Sequence, residues 1–124
     1  MADELDLAGL TISFSKSGSP SVEVTVAKIE IDVSGAQIMD NVQAVGFAAE
    51  EAILLGDVAA GGIWFVQNLD STNFVSLRSG TGATDFIRIN AGEWALFRCH
   101  ASASAPYAIA DTAAVNVRFL RFDA

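Results

Sequence analysis

Residues 61–98 read GGIWFVQNLDSTNFVSLRSGTGATDFIRINAGEWALFR, four apolar runs separated by polar turn residues. The first break, Asn68-Leu69-Asp70-Ser71-Thr72-Asn73, holds short polar side chains that hydrogen-bond their own backbone and so stabilise turns. The second, Ser79-Gly80-Thr81-Gly82-Ala83-Thr84, has two glycines able to take positive φ, and the third, Asn90-Ala91-Gly92, is a short link of hairpin type. Each run is too short for an ordinary helix and rich in β-branched or aromatic residues. The stretch therefore predicts four antiparallel strands in a meander.

The same alternation extends outward in both directions. Leu10, Ile12 and Phe14 alternate with Thr11, Ser13 and Ser15, and beyond Lys16-Ser17-Gly18-Ser19-Pro20 the residues Val22, Val24 and Val26 alternate with Ser21, Glu23 and Thr25. This is the two-residue period of half-buried strands joined as a hairpin. At Ile29, Ile31 and Val33 the apolar parity shifts by one, which predicts a β-bulge near Ala27-Lys28. Ser34-Gly35 closes that strand. A further strand is expected over 42–48, then a turn at Glu50-Glu51 and a short strand over Ile53–Leu55. Near the end, Val115, Val117 and Phe119 share one parity and Leu120 and Phe122 the other. Either a second bulge or a strand end buried on both faces accounts for that change. Nine or ten short strands with short links predict an all-β fold, an antiparallel β-sandwich or jelly roll. Residues 1–9, with Asp3, Glu4 and Asp6 interleaved among leucines, read as a short N-terminal arm, and residues 10–124 as a single sandwich domain.

The chain has 124 residues, 52% of them hydrophobic and 18% charged, which is enough to bury a core without disulfides or metal. That apolar share is high for a small monomer and predicts an oligomer. The net charge of −8 repels a phosphate backbone, and the seven basic residues form no run, so direct nucleic-acid binding is not expected. The acidic start predicts no export signal of the basic type, and no stretch approaches the ~20 apolar residues of a membrane helix.

Residues that could carry chemistry have structural readings that outweigh it. Cys99 and His100 are the single cysteine and histidine, but neighbours on a strand point to opposite faces and no other ligands stand at a zinc-like spacing. Asp70-Ser71-Thr72-Asn73 lacks the regular ligand spacing of a calcium loop, and Gly80-Thr81-Gly82 lacks the Lys-Ser/Thr pair of a phosphate loop. No catalytic residue, metal site or cofactor is expected. Trp64, Phe65, Phe74, Phe86, Trp94 and Phe97 lie inside apolar runs and read as core or subunit interface. Stacking of an exposed aromatic on sugars is the alternative.

Four pieces in order carry a resemblance: Leu55-Gly56-Asp57-Val58, then Asn68 to Val75, then Ala91-Gly92-Glu93-Trp94-Ala95-Leu96-Phe97-Arg98, then Pro106-Tyr107-Ala108 with Ala110-Asp111-Thr112-Ala113-Ala114-Val115. Together they resemble small structural proteins of tailed-bacteriophage virions, β-sandwich proteins found as capsid decoration (cement) proteins and in fibres or spikes. The resemblance runs from about Ile53 to the C-terminus. It implies a non-enzymatic virion protein, made in the host cytoplasm, that binds the major capsid protein or other virion proteins and forms a homotrimer. A neck or tail fibre or adaptor, or a carbohydrate-binding module, is the alternative. Within the decoration role, Leu5, Leu7 and Leu10 of the arm are the expected interface residues.

Overall fold

The computed structural model describes residues 4–15, 17–18, 21–33, 38–54, 61–100 and 106–123. Among them there is no helix, and every paired strand is antiparallel. The chain forms two compact units, Met1–Ser34 and Gly35–Ala124.

The first unit is a ribbon of two doubled strands. Here β1 (Glu4–Leu7) pairs with β4 (Ile29–Asp32), and β2 (Leu10–Phe14) pairs with β3 (Val22–Val26). Leu7 stands opposite Ile29 and Leu10 opposite Val26, so each strand gives up two unpaired residues and neither carries an extra one. The bulge expected at Ala27-Lys28 is therefore absent, because a bulge sets two residues against one. The parity changes on both strands together, at a point where a Cβ on Gly9 would lie 3.1 Å from the Val26 carbonyl oxygen. Residues 1–9 thus include a paired strand. The strand closure read at Ser34-Gly35 lies outside the described residues.

Among the described residues the second unit holds eight strands: β5 (Ile38–Val45), β6 (Glu51–Ala52), β7 (Gly62–Asn68), β8 (Val75–Arg78), β9 (Ile87–Ile89), β10 (Trp94–Cys99), β11 (Tyr107–Ala110) and β12 (Val115–Phe122). They make two four-stranded sheets, ordered β10-β7-β12-β5 and β6-β11-β8-β9. One hydrophobic cluster draws on both, from Val45, Trp64, Val66, Val117 and Phe119 of the first and Val75, Leu77, Ile89 and Ala108 of the second. Trp64 is fully buried, stacked 6.4 Å from Phe97 and edge-on to Phe119 at 6.5 Å. Trp64 and Phe97 thus take the core reading, whereas Phe86 and Trp94 are exposed.

The meander expected over 61–98 does not form. Only the link over 79–84 joins paired neighbours, β8 and β9, while β10 returns to pair with β7. The breaks over 69–74 and 90–93 carry the chain from one sheet to the other. Asn68 explains why the first break is a crossing and not a hairpin. Its buried Nδ2 donates to the carbonyls of Asn73 (2.9 Å) and Ile89 (3.0 Å), and its Oδ1 accepts from the Asp70 amide (2.8 Å). One amide thus ties the end of β7 to the end of β9 in the other sheet. Gln43 does the same at β5: its Nε2 donates to the Ala52 carbonyl (3.1 Å), and its Oε1 accepts from the Leu54 amide (3.0 Å).

Two local expectations also change. The short strand is Glu51–Ala52, not Ile53–Leu55, because the bend comes earlier, at 47–49, where the Glu51 carboxylate takes the Gly46 amide. Ile53 is buried, and its amide donates to the Pro106 carbonyl at 3.2 Å. In β12 the register runs unbroken from Val115 to Phe122 against β5. The parity change there is a strand end covered on both faces, with Phe119 and Arg121 buried and Leu120 and Phe122 half-buried.

Asp70 supplies a pH test of the first crossing. Its carboxylate accepts the amides of Asn73 (2.6 Å) and Thr72 (2.9 Å), which hold its pKa below the ordinary carboxylate value. A depressed folded-state pKa contributes stability that is present above the unfolded value and lost as pH falls through the folded one. The urea midpoint should accordingly fall less steeply in Asp70→Asn than in the wild type as pH is lowered from about 5 to about 2, a window that begins just above the unfolded carboxylate pKa and runs below it. Identical slopes would remove Asp70 from the account.

Candidate interaction surface

Polar chemistry is sparse, and the strongest surface features are apolar. In the first unit, strict alternation along β2 and β3 sets Leu10 against Val26, Ile12 against Val24 and Phe14 against Val22. Directly opposed residues share a face, so these six side chains form one continuous strip. They are 42–56% exposed. The other face of the same ladder carries Thr11 against Thr25 and Ser13 against Glu23.

The β1–β4 ladder repeats the plan with charge. Leu5 faces Ile31 and Leu7 faces Ile29, while Glu4 faces Asp32 and Asp6 faces Glu30. Opposed like charges are destabilising. Lys28 relieves them, its Nζ 3.0 Å from Glu30 and 3.5 Å from Asp6, and these partners raise its pKa, with Glu30 the larger cause. The carboxylates of Glu4, Asp6 and Glu30 gather within 4.8 Å of one another, all exposed.

Of the three leucines singled out in the sequence, Leu5 and Leu7 are half-buried on β1, and Leu10 lies on β2 in the next ladder. Leu5 and Leu7 thus share the β1–β4 ladder, and Leu10 stands in the β2–β3 ladder. Leu10 belongs with Ile12, Phe14 and the three valines, which the period-two reading took for half-buried strand residues. The available signal was that a hairpin of five-residue strands has nothing of its own to lay over so large an apolar face.

The second unit has its own apolar surface, on the face of the β10-β7-β12-β5 sheet turned away from the core cluster. The registers align Leu96, Phe65, Leu120 and Asp40 in one row across the four strands, and Trp94, Gln67, Arg118 and Val42 in the next. Trp94 is half-exposed and packs 5.7 Å from Phe65, and Leu96 and Val42 are also exposed. Arg118 grips Asp40 with two bonds, at 3.0 and 2.8 Å, which lower the Asp40 pKa.

A cavity of about 270 Å³ opens in this unit, lined chiefly by Leu77, Phe86, Ile87, Phe97, Cys99 and Pro106. Burial pushes the Cys99 thiol pKa up, and the nearby Arg121 guanidinium only partly opposes it. A thiol held protonated is a poor nucleophile. His100 follows it on an exposed position, and no carboxylate among the described residues lines the cavity. The space suits an apolar group and offers no acid–base pair.

Deep beside it, Arg121 is fully buried, with Asp123 3.4 Å from its Nη1 and no hydrogen-bond partner for Nε or Nη1. Its guanidinium lies against Gly62. Comparison with protein-family models, with curated proteins and with solved structures finds no match.

Proposed function

We propose that the Gly35–Ala124 unit is a jelly-roll sandwich and that the protein is a non-enzymatic virion component. In this reading it is a capsid decoration (cement) protein that binds the major capsid protein and stabilises a phage head as a homotrimer. The observation that carries the fold reading is the outside-in pairing of the eight strands: β5 with β12, β6 with β11, β7 with β10 and β8 with β9. A doubled hairpin of eight strands wound into two sheets is the pattern of jelly rolls, which recur in viral capsid and lectin domains. Fold does not name function. The virion role rests on the resemblance of the segments from Leu55 to Val115.

Purified heads of the phage that encodes the protein provide the test. Quantitative mass spectrometry of virions should find copies in proportion to the capsomers. A few copies at one vertex would sink decoration and leave the neck or tail fibre or adaptor role. Added protein should bind heads that lack it, and replacing Leu5 and Leu7 together with serine should weaken that binding at least tenfold. Unchanged binding would remove those leucines from the contact.

One observation favours a second reading, a carbohydrate-binding module: Trp94 is half-exposed on a sheet face beside Phe65. An exposed indole can stack on a sugar ring. Trp64, fully buried, is no such platform. Glycan binding that is lost in Trp94→Ala would promote this reading above decoration.

A further inference from the structure

The geometry points to an exchange between copies of this chain: the apolar face of the β2–β3 ribbon in one copy packs on the outer face of the β10-β7-β12-β5 sheet in a second copy. The first argument is stability. A lone two-stranded ribbon is marginal in water and needs a third strand or a packed layer to persist. This ribbon shows Leu10, Ile12, Phe14, Val22, Val24 and Val26 at 42–56% exposure.

Area is the second argument. Six large side chains about half exposed leave on the order of 500 Å² of apolar surface, the upper part of the range for the largest patch on an ordinary monomer. Covered by an equal area, that strip buries about 1,000 Å², the threshold of a specific interface. Two reciprocal contacts, or a closed ring of them, reach the size of a stable oligomer. The outer sheet face supplies the matching layer, with Trp94, Leu96 and Val42 exposed and Phe65 and Leu120 half-buried between them.

Charge then chooses between a sheet and a second ribbon as the occupant. Residues 1–34 hold six acids (Asp3, Glu4, Asp6, Glu23, Glu30 and Asp32) against Lys16 and Lys28, a net charge of −4. Ribbon against ribbon would bring two such segments together. The second unit has the same net charge, nine acids against five arginines, but its outer sheet rows carry Arg98 and Arg118 with the single carboxylate of Asp40, which Arg118 binds. A ribbon on a sheet joins different patches of the two copies, so the contact is reciprocal in a dimer and cyclic in a larger ring. The exchange stands apart from head binding, since copies can trade ribbons whether or not a capsid is their partner.

The test uses the full-length chain in a Cys99→Ser background. One tagged copy carries Val24→Cys and a second carries Leu96→Cys; they are mixed and mildly oxidised. A disulfide between the two different copies is expected, at least tenfold more abundant than a link between two Val24→Cys copies. Solution mass at micromolar concentration should exceed the 13.0 kDa of one chain. Phe14→Glu and, separately, Leu96→Glu should each weaken association at least tenfold, with the fluorescence of buried Trp64 reporting that the second unit stays folded. A monomeric wild type overturns the proposal, as does a predominance of ribbon-to-ribbon links. An intrachain disulfide in a monomer carrying both Val24→Cys and Leu96→Cys overturns it too, because the ribbon would then cover its own sheet.

Discussion

Asn68→Leu should lower the free energy of unfolding by about 4 kcal/mol, although leucine has the same number and branching of side-chain heavy atoms as asparagine. The side chain makes three hydrogen bonds, to the carbonyls of Asn73 and Ile89 and from the amide of Asp70, at 2.8–3.0 Å. Each is worth about 0.5–1.5 kcal/mol net, and a buried carbonyl left without its donor costs a further 1–3 kcal/mol. The residue's main chain is engaged as well. Its amide donates to the Glu93 carbonyl, and its carbonyl accepts from the Gly92 amide. A leucine keeps those two bonds and loses the ones that reach Ile89, so the loss reports on the stitch between sheets. Urea unfolding measures it. A loss below about 1 kcal/mol would mean that the crossing over 69–74 is held by other groups.

Gly62→Ala is expected to cost as much, again about 4 kcal/mol, for a reason that lies in the backbone. Gly62 opens β7 with φ +120°, a conformation that side chains rarely adopt. Forcing alanine there costs roughly 1–3 kcal/mol by itself. A Cβ at this position would also strike the Phe122 carbonyl oxygen and stand 2.9 Å from the Arg121 guanidinium carbon. The carbonyl belongs to one of the two longest strands in the sheet and cannot yield without breaking the β7–β12 ladder, in which Phe122 faces Ile63. Alanine at neighbouring Gly61 serves as the control for the general effect of replacing glycine. Thermal unfolding decides, and a Gly62→Ala midpoint within a degree or two of wild type would show that β7 and β12 separate more easily than their close approach implies.

Both substitutions bear on the proposed assembly only through the second unit. The hydrophobic cluster that joins the two sheets is built from residues between Met39 and Phe119. A protein destabilised at Asn68 should therefore lose head attachment and ribbon exchange only at temperatures where its second unit unfolds.

Much of this architecture is written in local pattern. Alternation at Leu10–Phe14, at Val22–Val26 and at Val115–Phe119 determined strands, because a strand with one covered face needs a two-residue period and nothing else in the chain competes with it. Turn chemistry placed the breaks: Gly82 and Gly92 take φ of +70° and +78°, and Asp70 caps the amides of Thr72 and Asn73. The all-β class followed, as did the burial of Trp64 and Phe97.

Which strand pairs with which was another matter. The links at 69–74 and 90–93 look like hairpin turns, and a link of that length permits either a return to the same sheet or a crossing to another. What decides is Asn68 reaching the Ile89 carbonyl and Gln43 reaching residues 52 and 54, contacts between groups 21, 9 and 11 positions apart that no local window contains. The parity change at 27–28 likewise looked like a bulge until its partner strand was seen to change at the same point. The candidate surface divides in the same way. The apolar residues of β2 and β3 were visible in the sequence, but alternation reports only that one face differs from the other. Whether that face lies in a core or in water depends on what the rest of the chain can lay over it, and that is a property of the tertiary structure alone.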